Sequence, residues 1–186
     1  MFLVICAPSG AGKTTVIKEI LKIFPFFKFS VSATTRKIRK GEQNGKDYYF
    51  ISREDFEKKI NNNEFVEWET VYGDLYGTLK SEIDRSLKDK VNLILEVEVL
   101  GALSIKKLYP EAVTVFIEAP KKELVERLKK RNTESDTELE RRVERMEMEF
   151  GMKSRFDHVI NNETGVEGVQ KSVLQLKKIL EKYKNN

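Results

Sequence analysis

The sequence predicts an α/β fold: a parallel sheet with helices on both faces, interrupted by an inserted β-rich flap. Three observations carry that expectation. Apolar runs suited to strands buried on both faces ("FLVI", "VNLILEVEV", "AVTVFIEA") alternate with amphipathic helical stretches. A glycine-rich turn, "CAPSGAGKTT", joins the first run to a helix. Residues 32–80 then break the rhythm with several short strands in succession.

Phe2–Cys6 reads as a short buried strand, and the helix from Lys13 to Phe24 stops at Pro25. "FKFSVS", Phe27–Ser32, alternates like one strand; a polar, basic loop runs on through Lys46, and "DYYFI" is a further short strand. Ser52 has the place of an N-cap for "REDFEKKINN", with Asp55 at the capping-box position. "EFVEWETVYG" and "YGTLK" read as strands parted by a Gly–Asp turn. A helix over Ser81–Lys88 precedes the strand "VNLILEVEV", and the helix "GALSIKKLY" ends at Pro110. After the strand "AVTVFIEA" come charged helices over Lys121–Arg131 and Asp136–Phe150, the strand "HVI", and a closing amphipathic helix, Val166–Lys184. No internal repeat or low-complexity linker divides the chain.

Composition narrows the function. The chain has 186 residues, 40% hydrophobic and 34% charged, the balance of a soluble globular protein. No apolar run approaches the ~20 residues of a membrane helix. "MFLVICA" lacks the basic leader of a signal peptide, and cleavage after it would cut the glycine loop. A single cysteine, Cys6, makes the cytoplasm the expected compartment. The net charge of +4 is carried mostly by lysines set among glutamates at helical spacing, as in "KKELVERLKK", so a solvated surface is expected and nucleic-acid binding is not.

Ala7–Thr14 matches the phosphate-binding loop pattern G-x-x-x-x-G-K-[ST], with Ala7 in place of the first glycine. Gly10 and Gly12 free backbone N–H groups to face a triphosphate, and the following helix adds its dipole. Ala7, Pro8, Ser9, Gly10, Ala11, Gly12, Lys13, Thr14 and Thr15 therefore form the expected ATP site. Lys13 reaches the β- and γ-phosphates, Thr14 ligates Mg²⁺ directly, and Thr15 donates to an α-phosphate oxygen. The alternative, a strand-to-helix turn that binds nothing, does not explain a loop lying between an apolar strand and a helix.

In the flap, Arg36 and Arg39 stand three apart with Lys37, Lys40 and Tyr48 nearby. Two guanidinium groups and a phenol make a clamp for a phosphate monoester, although charge alone favours a solvated basic loop.

Here the chain resembles the guanylate kinases. "APSGAGKTT", "SVSATTRKIRKGEQNGKDYYF" and "EFVEWETVYGDLYGT" are similar to that family in order, spacing and residue type, from Phe2 into the C-terminal helix. The resemblance implies a P-loop NTPase-type sheet forming a core over 1–31, 81–122 and 156–186. It also implies a GMP-binding insertion over about 32–80 and a helical lid over about 123–155. It implies phosphoryl transfer from MgATP to GMP, and to dGMP, with no nucleic-acid or membrane partner; oligomeric state stays open.

Carried over residue by residue, the monophosphate site falls on Arg36, Arg39, Tyr48 and Tyr76, with Glu42 in the GMP-binding set, and the guanine readers on Ser32, Glu67 and Thr78. Physical chemistry supports the second group, because guanine presents N1–H and N2–H₂ side by side and one carboxylate accepts both. Adenine offers an acceptor at N1 and leaves Glu67 repelled, a mismatch worth on the order of 10⁴-fold.

Glu96 and Glu98 end "VNLILEVEV" at i and i+2, on one strand face, where buried carboxylates need a cation or donors. The family is similar here but usually carries aspartate at the second position, and often glutamine where this chain has Leu100. Either Glu96 or Glu98 therefore serves Mg²⁺ through water, and the other the guanine edge. The lid arginines map to Arg127, Arg131 and Arg142, with Asn132 in place of a common glycine. The adenine-side asparagine maps to Asn162, or else its neighbour Asn161. The catalytic set is then Lys13, Arg39, Arg127, Arg131 and Arg142. No general base is expected, since a GMP phosphate oxygen is already ionised; His158 reads as structural. The alternatives are a P-loop kinase of another phosphorylated small molecule and a non-catalytic guanylate-kinase-like module that holds phosphopeptides.

Overall fold

Strands at Phe2–Cys6 (β1), Phe27–Phe29 (β2), Ala33–Thr34 (β3) and Tyr49–Phe50 (β4) open the computed structural model, with helix α1 at Lys13–Ile23. The structure describes residues 1–130, 136–163 and 165–184. Helix α2 (Arg53–Asn61), strands β5 (Phe65–Val71) and β6 (Asp74–Leu79), helix α3 (Lys80–Asp89), strand β7 (Asn92–Glu96) and helix α4 (Val99–Leu108) follow. Strand β8 (Val113–Glu118), helices α5 (Lys121–Lys130) and α6 (Asp136–Gly151), strand β9 (His158–Asn161) and helix α7 (Gly165–Lys184) close the chain. It divides into two units: Met1–Val4 with Phe26–Val113, and Ile5–Pro25 with Thr114–Asn186.

The first unit contains one edge of the parallel sheet, in the order β2-β7-β1, with Phe27 opposite Asn92 and Phe29 opposite Ile94. Leu93, Ile94 and Leu95 are at most 3% exposed, which is why this strand is an unbroken apolar run. The same unit holds the four-stranded flap sheet, β4-β3-β6-β5, closed between residues 33 and 79. Its core is Ala33, Phe56, Phe65 and Leu75, with Phe56 stacked on Phe65 at 4.3 Å between ring centres. Ser52 caps α2 as expected: its hydroxyl accepts from the Asp55 N–H at 3.0 Å and donates to the Asp55 carboxylate at 2.7 Å.

Three boundaries differ from the sequence expectation. Phe27–Ser32 is not one strand. The Ser30 N–H still donates to Ile94 O, but the Val31 N–H turns to Glu82 and Ser32 O accepts from the Tyr49 N–H. The chain crosses here from one sheet to the other, and side-chain alternation reports only extended backbone. The β5–β6 turn is Tyr72–Gly73, with φ of 51° and 87°, the left-handed pair of a tight hairpin. Finally, β7 stops at Glu96; Glu98 is the N-cap of α4, which begins two residues before the expected "GALSIKKLY". The two acids therefore stand at a strand end and a helix start rather than on one strand face.

In the second unit the order is β1-β8-β9, with β8 and β9 parallel and Val115 opposite His158. Asp157 locks that pair, its carboxylate accepting from the Thr114 N–H and hydroxyl, both at 2.8 Å. Helices α1 and α7 pack together, and α7 packs on β9. His158 opens β9, its ring nearly perpendicular to that of Tyr183 at 5.8 Å between ring centres.

Candidate active site

The glycine loop of the second unit has phosphate-binding geometry. Gly10 and Gly12 have φ of 87° and 84°, a left-handed conformation that side chains resist. The Ala11 N–H donates to Pro8 O, and Gly12 is the N-cap of α1. Lys13 and Thr14 open that helix, and Thr14 and Thr15 are exposed.

Asn162 lies beneath this loop. It is 2% exposed, its side-chain amide donates to Ala11 O at 2.6 Å, and its carbonyl accepts from the Ser172 hydroxyl at 3.1 Å. A Cβ on Gly12 would fall on the Asn162 amide nitrogen. A carboxamide so enclosed supports the loop from below. Neighbouring Asn161 is exposed on β9.

The first unit brings together in the flap residues expected to hold the monophosphate. The Arg36 guanidinium makes a two-pronged bond with Glu42, at 2.8 and 3.1 Å, and lies 5.5 Å from the ring centres of Tyr48 and Phe50. Glu42 also accepts from the Arg39 N–H at 2.7 Å. The Tyr48 and Tyr76 rings meet edge to face at 6.0 Å. Hydrogen bonds from Arg36 hold the Glu42 carboxyl below its usual range, while burial pushes the Tyr76 hydroxyl up. Glu42 is thus the brace that aims Arg36 and shapes the loop at Arg39; the Arg39 side chain is exposed.

Glu67 is delivered by a β-bulge between Phe65 and Glu67. Its Oε1 accepts from the Thr78 hydroxyl at 2.6 Å and the Thr78 N–H at 3.0 Å. Thr78 is 1% exposed and spends its hydroxyl proton on this carboxylate. Burial drives the Glu67 carboxyl up to about 7; Thr78 opposes the shift, while the negative charges of Glu69 and Glu98 add to it. Glu98 is therefore near enough for its charge to act on the Glu67 carboxylate. Ser32, 8% exposed, stands between β2 and β3.

Sequence reasoning missed Glu82. It is 8% exposed in the first turn of α3, where it accepts from the Val31 N–H and the Tyr49 hydroxyl, both at 3.3 Å, and pairs with Arg85 at 3.4 Å. It thereby pins the segment that carries Ser32. An acid three residues into a helix reads as ordinary capping, so no sequence signal separated it. Of the lid arginines, Arg142 lies on α6 and Arg127 on α5, while Arg131 and Asn132 lie outside the described residues, as does the Arg127 side chain.

Among the described residues no three or more His, Cys, Asp or Glu side chains cluster as metal ligands. The expected donors, the Thr14 hydroxyl and a Glu96 or Glu98 carboxylate, are hard oxygens. That set suits Mg²⁺, which is commonly held by one or two protein groups together with substrate phosphates.

The sequence model of the guanylate kinase family matches residues 1–183. Guanylate kinase of Porphyromonas gingivalis is 47% identical over 180 residues, 93% of this chain and 96% of the relative. That of Chlorobium luteolum is 41% identical over 180 residues, 96% and 91% of the two chains. The crystal structure of guanylate kinase from Anaplasma phagocytophilum superposes with a TM-score of 0.78 at 29% identity, covering 98% of this chain and 85% of that one. A shikimate kinase from Bacteroides thetaiotaomicron, 16% identical with a TM-score of 0.56 over 97% and 98% of the two chains, shares the fold alone.

Proposed function

The chain belongs to the guanylate kinase family and phosphorylates GMP with ATP, and from that premise we propose how its residues divide the reaction. The loop from Ala7 to Thr15 holds the ATP phosphates, with Asn162 fixing the loop from beneath. Lys13 neutralises charge on the β- and γ-phosphates, and Thr14 contributes a ligand to the Mg²⁺ of MgATP. Held there by the Thr14 hydroxyl, that ion would offset negative charge on the ATP phosphates.

Arg36, Arg39, Tyr48 and Tyr76 hold the GMP phosphate, Glu42 keeping the Arg36 fork oriented. Glu67 accepts the guanine N1–H and N2–H₂, Thr78 sets its orientation, and Ser32 meets the base edge. The charge of Glu98 felt at Glu67 supports its assignment to the guanine side, leaving Glu96 to reach Mg²⁺ through water. A phosphate oxygen of GMP attacks the γ-phosphorus without a base while the bond from that phosphorus to the β-phosphate oxygen breaks and ADP leaves, and Arg39, Arg127, Arg131 and Arg142 offset the charge that spreads over the transferring group. Residues 123–155 act as the lid and 32–80 as the GMP-binding insertion. dGMP is a second acceptor, because no group assigned here reads the 2′-hydroxyl. The same reading puts the enzyme in the cytoplasm, in keeping with a buried Cys6 that joins no disulfide and with no described helix long and apolar enough to cross a membrane.

The observation that carries the guanine assignment is the Glu67 carboxylate held by two Thr78 donors at 2.6 and 3.0 Å, beside the excess negative charge of Glu69 and Glu98. Such a group calls for donors, and guanine supplies two. Coupled ADP release with MgATP and GMP, dGMP, AMP, UMP or CMP tests it. GMP should lead, followed by dGMP, with the others slower by orders of magnitude. Equal use of AMP would remove Glu67 from the base site.

A further inference from the structure

We propose that Gly101 is a specificity-determining position, its missing side chain letting the first turn of α4 close against the guanine-reading carboxylate of Glu67; this rests on Glu67 being that reader.

Gly101 is buried, the third residue of α4, and has no positive φ that would demand glycine. Glycine forms helix less readily than alanine, so its presence in the first turn calls for another reason. Space is what it provides. A Cβ at Gly101 would fall well inside contact distance of Glu67 Oε2, 2.9 Å from Cδ and 3.5 Å from Cγ, and those are its three nearest atoms. Helix α4 and strand β5 pack together, so this wall is fixed by the fold of the first unit. On the other side, Thr78 holds Oε1 with its N–H and hydroxyl. The carboxylate is thus confined between β6 and the helix turn, at the place where the β5 bulge delivers it.

The obstacle a new methyl meets is the movable end of a side chain rather than backbone. The protein therefore keeps its fold and the carboxylate gives way, leaving Thr78 and tilting off the guanine edge. Misplacement by about 1 Å is enough to cost on the order of a hundredfold where a fixed geometry is required. Gly101 acts through Glu67 and is a positioning residue, so its effect belongs to the acceptor base and not to ATP.

The test is G101A in the full-length enzyme, assayed with GMP, with IMP (which keeps N1–H and O6 and lacks the 2-amine), and with ATP varied separately. KM for GMP should rise at least about tenfold, KM for ATP should stay within about twofold, and the GMP-over-IMP preference should shrink. E67D shortens the acid by one methylene and makes room for the methyl, so adding G101A to E67D should cost less than about threefold in GMP kcat/KM. An unchanged GMP KM, equal losses for GMP and ATP, or the same cost on both backgrounds would overturn the proposal. Should G101A alone fail to fold, a native-like melt of E67D/G101A supports it and an unfolded double variant overturns it. E67Q is measured alongside: if E67Q kept its full preference for GMP, the reading of Glu67 itself would fall, whatever G101A does.

Discussion

Glu67, proposed as the guanine reader, has an ionisation poised near neutrality. Its carboxyl ordinarily titrates near 4.5 and is driven up to about 7 by burial, then by Glu69 and Glu98 against the opposing Thr78 bonds. As pH falls through 7, the group gains a proton and loses acceptor capacity that guanine requires, whereas adenine N1 welcomes a donor. The ratio of kcat/KM for GMP to that for AMP should therefore fall between pH 8 and pH 6. The phosphate ionisation near ~6 is common to both nucleotides and cancels in the ratio. A flat ratio would place the titration elsewhere. The sign for stability is the same: the folded chain holds this proton more tightly than the unfolded one, so the ligand-free protein gains stability from Glu67 as pH drops from about 7 toward 4.5. Elsewhere in the flap, Glu42 has the contrary character, ionised and braced by Arg36. Glu42→Gln keeps the volume but weakens the fork, so KM for GMP should rise about tenfold while KM for ATP holds. GMP kinetics unaltered in that variant would make the pair a surface contact.

At the scale of elements, each cluster is held by structure drawn from distant sequence. The glycine loop is fastened by Asn162 at the end of β9 and by Ser172 on α7, some 150 residues further on, the Asn162 bond to Ala11 O having a sequence separation of 151. Asn162→Ala removes that donor and strands Ala11 O in a buried setting, a cost of about 1–3 kcal/mol. KM for ATP should rise several-fold, with the thermal midpoint lowered and GMP affinity intact. A variant with normal ATP kinetics would reduce Asn162 to packing. The flap shows the same logic, since the Val31–Ser32 crossing is pinned by Glu82 from α3 and the Glu67 side chain is bounded by α4.

At the scale of the whole chain, the assigned residues separate by unit. Every residue proposed for GMP, Ser32 through Glu98, lies in Phe26–Val113, and the glycine loop with Asn162 lies in Ile5–Pro25 and Thr114–Asn186. GMP should then bind without ATP. At a hundredfold excess over its Kd, GMP alone should stabilise the protein by about 2.7 kcal/mol, read as a rise in Tm, and AMP at that concentration should do much less. Lys13→Ala should keep the GMP shift in full while losing turnover by orders of magnitude, because that ammonium serves the transferring phosphoryl group. A GMP shift that appeared only with ATP present would show that the acceptor site is incomplete by itself.

The local character of the chain was written in the sequence. Buried parallel strands announce themselves as apolar runs, Ser52 and Asp55 as a capping pair, and Gly10, Gly12, Lys13 and Thr14 as a phosphate loop, because each depends on neighbours within a few residues. The arginines and Glu67 emerged from the same text only through family resemblance, since charge and alternation alone fit a solvated loop and strand. What pairs with what was out of reach. Glu42 on Arg36, Thr78 on Glu67, Glu82 on Val31, Asn162 under Ala11 and Gly101 against Glu67 are contacts made by folding. Periodicity is a property of a single segment, whereas the burial that drives Glu67 to about 7 and the space that Gly101 leaves for it arise when separate segments pack.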